Sequence, residues 1–110
     1  MKTPIIKTKN IDLTDSIRSY VEEKTALIFD LLPDKDVSAA QVRVEVGRPS
    51  LRHNTGAVYR AEINLSVGRR LYRAETVHED LYAAINETRD EIERQIRKHK
   101  TKLVAQRRPK

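Results

Sequence analysis

From Thr76 to Lys102 the chain reads TVHEDLYAAINETRDEIERQIRKHKTK. Thr76 followed three residues later by Glu79 has the pattern of a capping box. In that motif the threonine oxygen accepts the Glu79 amide, and the Glu79 carboxylate reaches back to the Thr76 amide. Glu79 and Asp80 then fall in the first turn, where the macrodipole favours negative charge. Apolar or small residues follow at Leu81, Ala84, Ile85, Thr88, Ile92, Ile96 and Leu103. Spacings of three and four put them on one helix face. No Gly or Pro interrupts before Pro109. The pattern predicts a helix from Val77 to about Lys102, about 39 Å long at 1.5 Å per residue.

The second half of this helix is basic. Residues 89–110 hold nine Lys/Arg against three acids, a net of +6, which equals the net charge of the whole 110-residue chain. Residues 1–88 therefore balance to zero, and the excess charge sits at one end. Two or three cations would complement the C-terminal dipole; nine in 22 residues exceed that need. Clustered basic charge on one element is the electrostatic footprint of a polyanion binder. Arg94, Arg97, Lys98, Lys100 and Lys102 are the candidates on the helix.

A chain of this length is one domain, expected over residues 1–102, with a basic, flexible tail at 103–110. With 38% hydrophobic and 35% charged residues it buries a modest core. There is no cysteine, which excludes disulfides, thiol catalysis and cysteine metal sites. No apolar run approaches the ~20 residues needed to cross a bilayer, so no membrane partner is expected. Met1 to Lys7 lacks the apolar core of a secretory signal. A cytoplasmic protein is expected.

Working outward from the long helix, Pro4–Lys9 reads as a first strand and Asn10–Leu13 as a turn. Thr14 is the expected N-cap of a first helix, with Ile17, Tyr20, Val21, Lys24, Ile28, Leu31 and Leu32 in helical period. Pro33 ends it. Asp34–Ser38 reads as a loop. Ala40 to Val46 and Tyr59 to Val67 alternate apolar and polar residues as half-buried strands. Ser50–Gly56 lies between them as a polar loop. Gly68-Arg69-Arg70 is a tight turn, and Leu71–Glu75 a short fourth strand. The order β-α-β-β-β-α specifies an α+β, two-layer sandwich. Its four-stranded mixed sheet has two helices packed on one face, the first two strands parallel and the rest an antiparallel meander.

No active site emerges, and the chain is not expected to be an enzyme or to carry a cofactor, a metal or a small-molecule substrate. His53, His78 and His99 are spread along the chain without ligand spacing. Its three glycines form no phosphate-cradling pattern and read as turn residues. Arg69 and Arg70, paired in a tight turn, are well placed for phosphate; turn solubility is the other explanation. Lys24 stands beside an apolar stripe, as a snorkelling lysine would. The few aromatics fall mostly on apolar stripes, so recognition would run through shape and phosphates rather than base stacking.

The segment Leu13–Lys24 (LTDSIRSYVEEK), the motif His78–Asn86 (HEDLYAAIN) and the run Glu93–Lys100 (ERQIRKHK) resemble the ribosome hibernation promoting factors. These are also called ribosome-associated inhibitors or sigma-54 modulation proteins. The resemblance covers nearly the whole chain. It implies a factor that binds the small ribosomal subunit against 16S rRNA, in the channel of mRNA and of A- and P-site tRNA. Such a factor silences translation by occupancy in stationary phase or stress. It transfers the family's basic positions to Lys24, Arg94, Lys98, Lys100 and Lys102. Where many relatives carry a mid-helix lysine this chain has Asp90-Glu91, and Asn86 stands for the more usual aspartate. It also implies a short form, for which pairing of ribosomes with a second hibernation factor and silencing of single 70S particles are both open. A general double-stranded-RNA-binding module and a transcription-factor modulator are the alternatives.

Overall fold

The structure, a computed structural model, describes residues 2–48 and 58–107, the side chains of 102–107 excepted. The Ser50–Gly56 loop with His53, the side chains of Lys102 and Leu103, and residues 108–110 lie outside the described residues. The elements run β1 (Ile5–Lys9), α1 (Asp15–Asp30), α2 (Asp34–Val37), β2 (Ala40–Gly47), β3 (Tyr59–Val67), β4 (Arg70–His78) and α3 (Leu81–Arg107).

The strands form one sheet in the order β1-β2-β3-β4. β1 pairs parallel to β2, and the other neighbours are antiparallel. Alternation does what it predicts. Val42, Val44, Val46, Ala61, Ile63, Leu65, Val67, Tyr72 and Ala74 point to one face and are buried. The helices cover that face, α3 over β3 and β4 with α1 beside it. All the apolar-face positions of α3 from Leu81 to Ile96 are buried, Thr88 included. An Ile or Leu buried there contributes about 2 kcal/mol. Thr25 and Thr88 are polar yet fully buried. Each hydroxyl donates to the carbonyl one turn back, Thr25 to Val21 at 2.8 Å and Thr88 to Ala84 at 2.7 Å, so neither is left unsatisfied.

Local chemistry sets most boundaries. Thr14 caps α1, its Oγ1 accepting the Ile17 amide at 3.1 Å. Gly68 has φ 60° and leads the two-residue turn between β3 and β4, a backbone conformation that favours glycine. Gly47 is not a turn residue. It ends β2 opposite Lys9, where an added Cβ would stand 2.0 Å from the Lys9 carbonyl oxygen.

Three boundaries differ from expectation. Thr76 and Val77 belong to β4, paired with Ala61 and Arg60, so no Thr76/Glu79 capping box forms and β4 is nine residues rather than a short strand. The opposite strand is available as far as Tyr59, and a paired ladder satisfies backbone groups that an early helical turn would leave orphaned. Asp80 is the cap instead. Its Oδ1 accepts the amides of Tyr82 and Ala83 at 2.9 and 3.4 Å, while its own amide donates to His78 Nδ1 at 2.9 Å. Second, Asp34–Val37, expected as loop, closes one helical turn onto the Pro33 carbonyl. Third, α3 runs to Arg107.

Because β2 and β4 run the same way and α1 and α3 each run against them, the two helices are parallel. Both finish at the end of the molecule that carries the β3–β4 turn.

Candidate nucleic-acid interface

That shared end collects most of the cations singled out in the sequence. Arg69 sits exposed in the β3–β4 turn. Arg70, beside it, donates to Asp36 of α2 at 3.1 Å and lies 3.5 Å from the Tyr72 hydroxyl. The Tyr72 ring meets His99 of α3 edge-on at 6.1 Å, which brings the turn against the basic half of the helix. Lys100 reaches across to α1 and donates to the Leu31 carbonyl. Lys98 is exposed. Lys24 lies further back on α1, half-buried, with Nζ 5.2 Å from the centre of the Tyr20 ring. Tyr20 in turn packs edge-to-face on Tyr82 of α3 at 4.9 Å. The Lys24 charge thus sits over an aromatic face at cation–π range, where the sequence suggested only a snorkelling stem.

The cations divide into two electrostatic classes. Arg94 pairs with Glu91 on its own helix. Arg97 donates to Glu93 Oε1 from Nε at 3.1 Å and from Nη2 at 2.8 Å. Among the described residues Lys24, Arg69, Lys98 and Lys100 have no carboxylate partner, so their charge is available. Arg89 was not singled out in the sequence. It is largely buried and contacts Asp90 at 2.7 Å and Glu93 at 2.8 Å. The signal for these pairs was present in the i, i+3 and i, i+4 spacing of acid and arginine.

The open face of the sheet is different in kind. Arg60 of β3 binds Glu45 of β2 at 3.2 Å, Glu62 of β3 at 2.9 Å, and Glu75 of β4. Arg73 holds Glu62 at 2.8 Å. Strand register lines Glu45, Glu62 and Glu75 in one row, which puts all three within reach of Arg60. Burial alone would push the Glu62 carboxyl up; hydrogen bonds from Arg73 and Asn64 with the charges of Arg60 and Arg73 outweigh it and hold it below its ordinary value. The hydrogen bond that Arg60 donates to Glu75 leads the causes that raise its own pKa. These arginines are committed to glutamates and add little to an anion-binding surface.

Among the described residues no group of three His, Asp or Glu side chains comes together as a metal site. No helix among them is long and apolar enough to cross a membrane.

Comparison with known proteins agrees with this architecture. The chain is 38% identical over 99 residues to the ribosome hibernation promotion factor of Deinococcus radiodurans, covering 90% of this chain and 49% of that protein. It is 32% identical over 98 residues to the factor of the same name from Lactococcus lactis, covering 89% and 49%. The chain thus spans about half the length of these curated relatives. Among solved structures, the N-terminal domain of Thermus thermophilus Protein Y superposes with a TM-score of 0.73 at 29% identity, covering 90% of this chain and 99% of that one. A ribosomal subunit interface protein from Coxiella burnetii shares the fold, with a TM-score of 0.70 at 14% identity over 91% and 99% of the two chains. The profile of the family described as Sigma 54 modulation protein / S30EA ribosomal protein matches residues 5–104. With its α+β sandwich and its basic helix accounted for residue by residue, the chain belongs to that family.

Proposed function

We propose that this chain binds the small ribosomal subunit through 16S rRNA phosphates, occupies the channel of mRNA and of A- and P-site tRNA, and so silences ribosomes in stationary phase or stress. The observation that carries this is the gathering of Arg69, Lys98 and Lys100 at one end of a chain whose formal net charge of +6 equals that of residues 89–110. Lys98, Lys100 and Arg69 form the contact, with Lys24 extending it along α1 and Lys102 continuing it along α3. Arg70, Arg94 and Arg97 join when phosphate replaces their carboxylate partners. Inhibition is by occupancy: bound protein and bound mRNA or tRNA exclude one another, and no covalent step is involved. Family membership, together with the names of the relatives, supports the ribosome as the target.

The test is sucrose-gradient sedimentation of stationary-phase lysate, paired with binding of purified protein to 30S subunits and to free duplex RNA at matched salt. Co-migration with ribosomal particles and tighter binding to subunits than to duplex is the expected result. Equal affinity for both targets would make the chain a general duplex-RNA binder. Protein left at the top of the gradient would point to a protein partner, such as a transcription factor.

A further inference from the structure

The cationic half of α3 carries its own competitors for phosphate. Glu93 is held at both oxygens: Oε2 by Nη1 of Arg89 at 2.8 Å, and Oε1 by Arg97 through two nitrogens at 3.1 and 2.8 Å. Arg89 is itself fixed, with 15% of its side chain exposed, Asp90 as a second ion-pair partner at 2.7 Å and Asn86 Oδ1 as a further acceptor at 3.4 Å. Glu93 is therefore not a wandering surface carboxylate. The entropy that normally weakens an exposed i, i+4 pair has already been spent on its contact with Arg89.

Glu91, two residues earlier and so on the other side of the helix, repeats the arrangement. It pairs with Arg94, and its Oε1 accepts from Gln95 Nε2 at 3.4 Å. Gln95 Nε2 also donates to the Arg73 carbonyl of β4 at 2.9 Å. In both cases a second group from the packed side of α3 touches the acid. In both cases the acid turns a solvent-facing guanidinium back along the helix. Lys98, between the two arginines and Lys100, has no such acid among the described residues.

We infer that Glu91 and Glu93 are positioning residues that act as brakes on RNA affinity, keeping the guanidiniums of Arg94 and Arg97 paired until a phosphate displaces the carboxylate. Resting on the reading that this half of α3 meets RNA, the inference adds a regulation of that same surface. Lysines make the first, freely reversible contacts. The arginines, which can grip a phosphate with two parallel bonds, engage only by breaking an internal pair. Affinity for any polyanion is thereby held below what the helix's cation count would produce.

The test is a mutant cycle on duplex RNA and on 30S subunits, read as Kd across a salt series. The conservative changes Glu91→Gln and Glu93→Gln keep the shape of each side chain. Each released pair is worth about a factor of two, so the double variant is expected to bind duplex RNA about fourfold more tightly. Its log Kd against log salt is expected to steepen by up to about two counterions. In an Arg97→Ala background the gain from Glu93→Gln is expected to vanish or shrink. An equal gain in both backgrounds would mean only that net charge had changed, and would overturn the inference. So would an unchanged affinity and slope in the double variant with unaltered circular dichroism. If Glu93→Gln perturbs folding through Arg89, the Glu91→Gln/Arg94→Ala cycle reads the same coupling. The duplex arm does not depend on the ribosome: a wild-type chain that ignores 30S subunits but shows the coupling on duplex would refute the proposed function and leave the brake standing.

Discussion

Gln95 Nε2 lies 2.9 Å from the backbone carbonyl oxygen of Arg73. A side chain of α3 thus reaches over the edge of the sheet and satisfies an acceptor on β4, one of its two edge strands. The bond ties helix to strand midway along α3, between the buried Ile92 and Ile96. Gln95→Ala removes this solvent-accessible hydrogen bond together with the longer one to Glu91 at 3.4 Å. A loss of about 1 kcal/mol is expected, read as a lower urea midpoint with an unchanged m-value.

Asp80 and Thr76 offer a direct contrast. Asp80→Ala removes the acceptor for two first-turn amides and should cost about 1 kcal/mol. Thr76→Ala, at a strand position with no capping bond, should cost less. Chemical denaturation of the two variants side by side checks the order; the reverse order would restore the capping box.

Gly47 has no room for a side chain. A Cβ would stand 2.0 Å from the Lys9 carbonyl oxygen and 2.9 Å from its amide nitrogen, both backbone atoms that cannot swing aside. Gly47→Ala must spread β1 from β2, at an expected cost of about 3 kcal/mol. Thermal unfolding would show it, as would faster amide exchange along β1.

Glu62 should leave a mark on acid stability. Its folded pKa lies below the ordinary 4.5, so the unfolded chain takes up its proton first. The stability it contributes is full above the unfolded value and is lost as pH falls through the folded one. Glu62→Gln should therefore cost most at neutral pH, and its stability should fall less steeply than wild type between about pH 5 and pH 3. Parallel curves for the two proteins would show that the carboxylate's pairing with Arg73 and Arg60 does not persist in solution.

Lys98→Ala with Lys100→Ala removes two charges that no carboxylate holds. Binding to 30S subunits is expected to weaken at least tenfold at low salt, with the salt slope reduced by about two. Arg94→Ala with Arg97→Ala, which removes cations already paired, should weaken it less. Filter binding over a salt series measures both.

Much of this was visible before any coordinates. The period of Leu81, Ala84, Ile85, Thr88, Ile92 and Ile96 marked the buried face of α3, and strand alternation marked the core side of the sheet. Helix faces and pleats follow from local geometry, which a sequence carries in full. The start of α3 was not legible, because Thr76 suits both a cap and a strand, and the choice belongs to β3, 15 residues earlier. The grip of Arg60 on Glu45 and Glu75 and the approach of Lys9 to Gly47 depend on register, a non-local quantity. The pairing of Arg94 and Arg97 differs: its spacing was in plain view, and a count of net charge passed over it. For the candidate surface, the sequence named the cations but not which of them were free.

The internal truce on the open sheet face bears on how the molecule approaches a partner. Glu45, Glu62 and Glu75 quiet Arg60 and Arg73, but Lys7, Lys9 and Arg43 stand exposed on the same face. Only the excess of cations on α3 over those on the sheet therefore exerts a torque near a polyanion. At physiological ionic strength that torque acts only within about 8 Å, so misoriented encounters are corrected in the final nanometre or not at all.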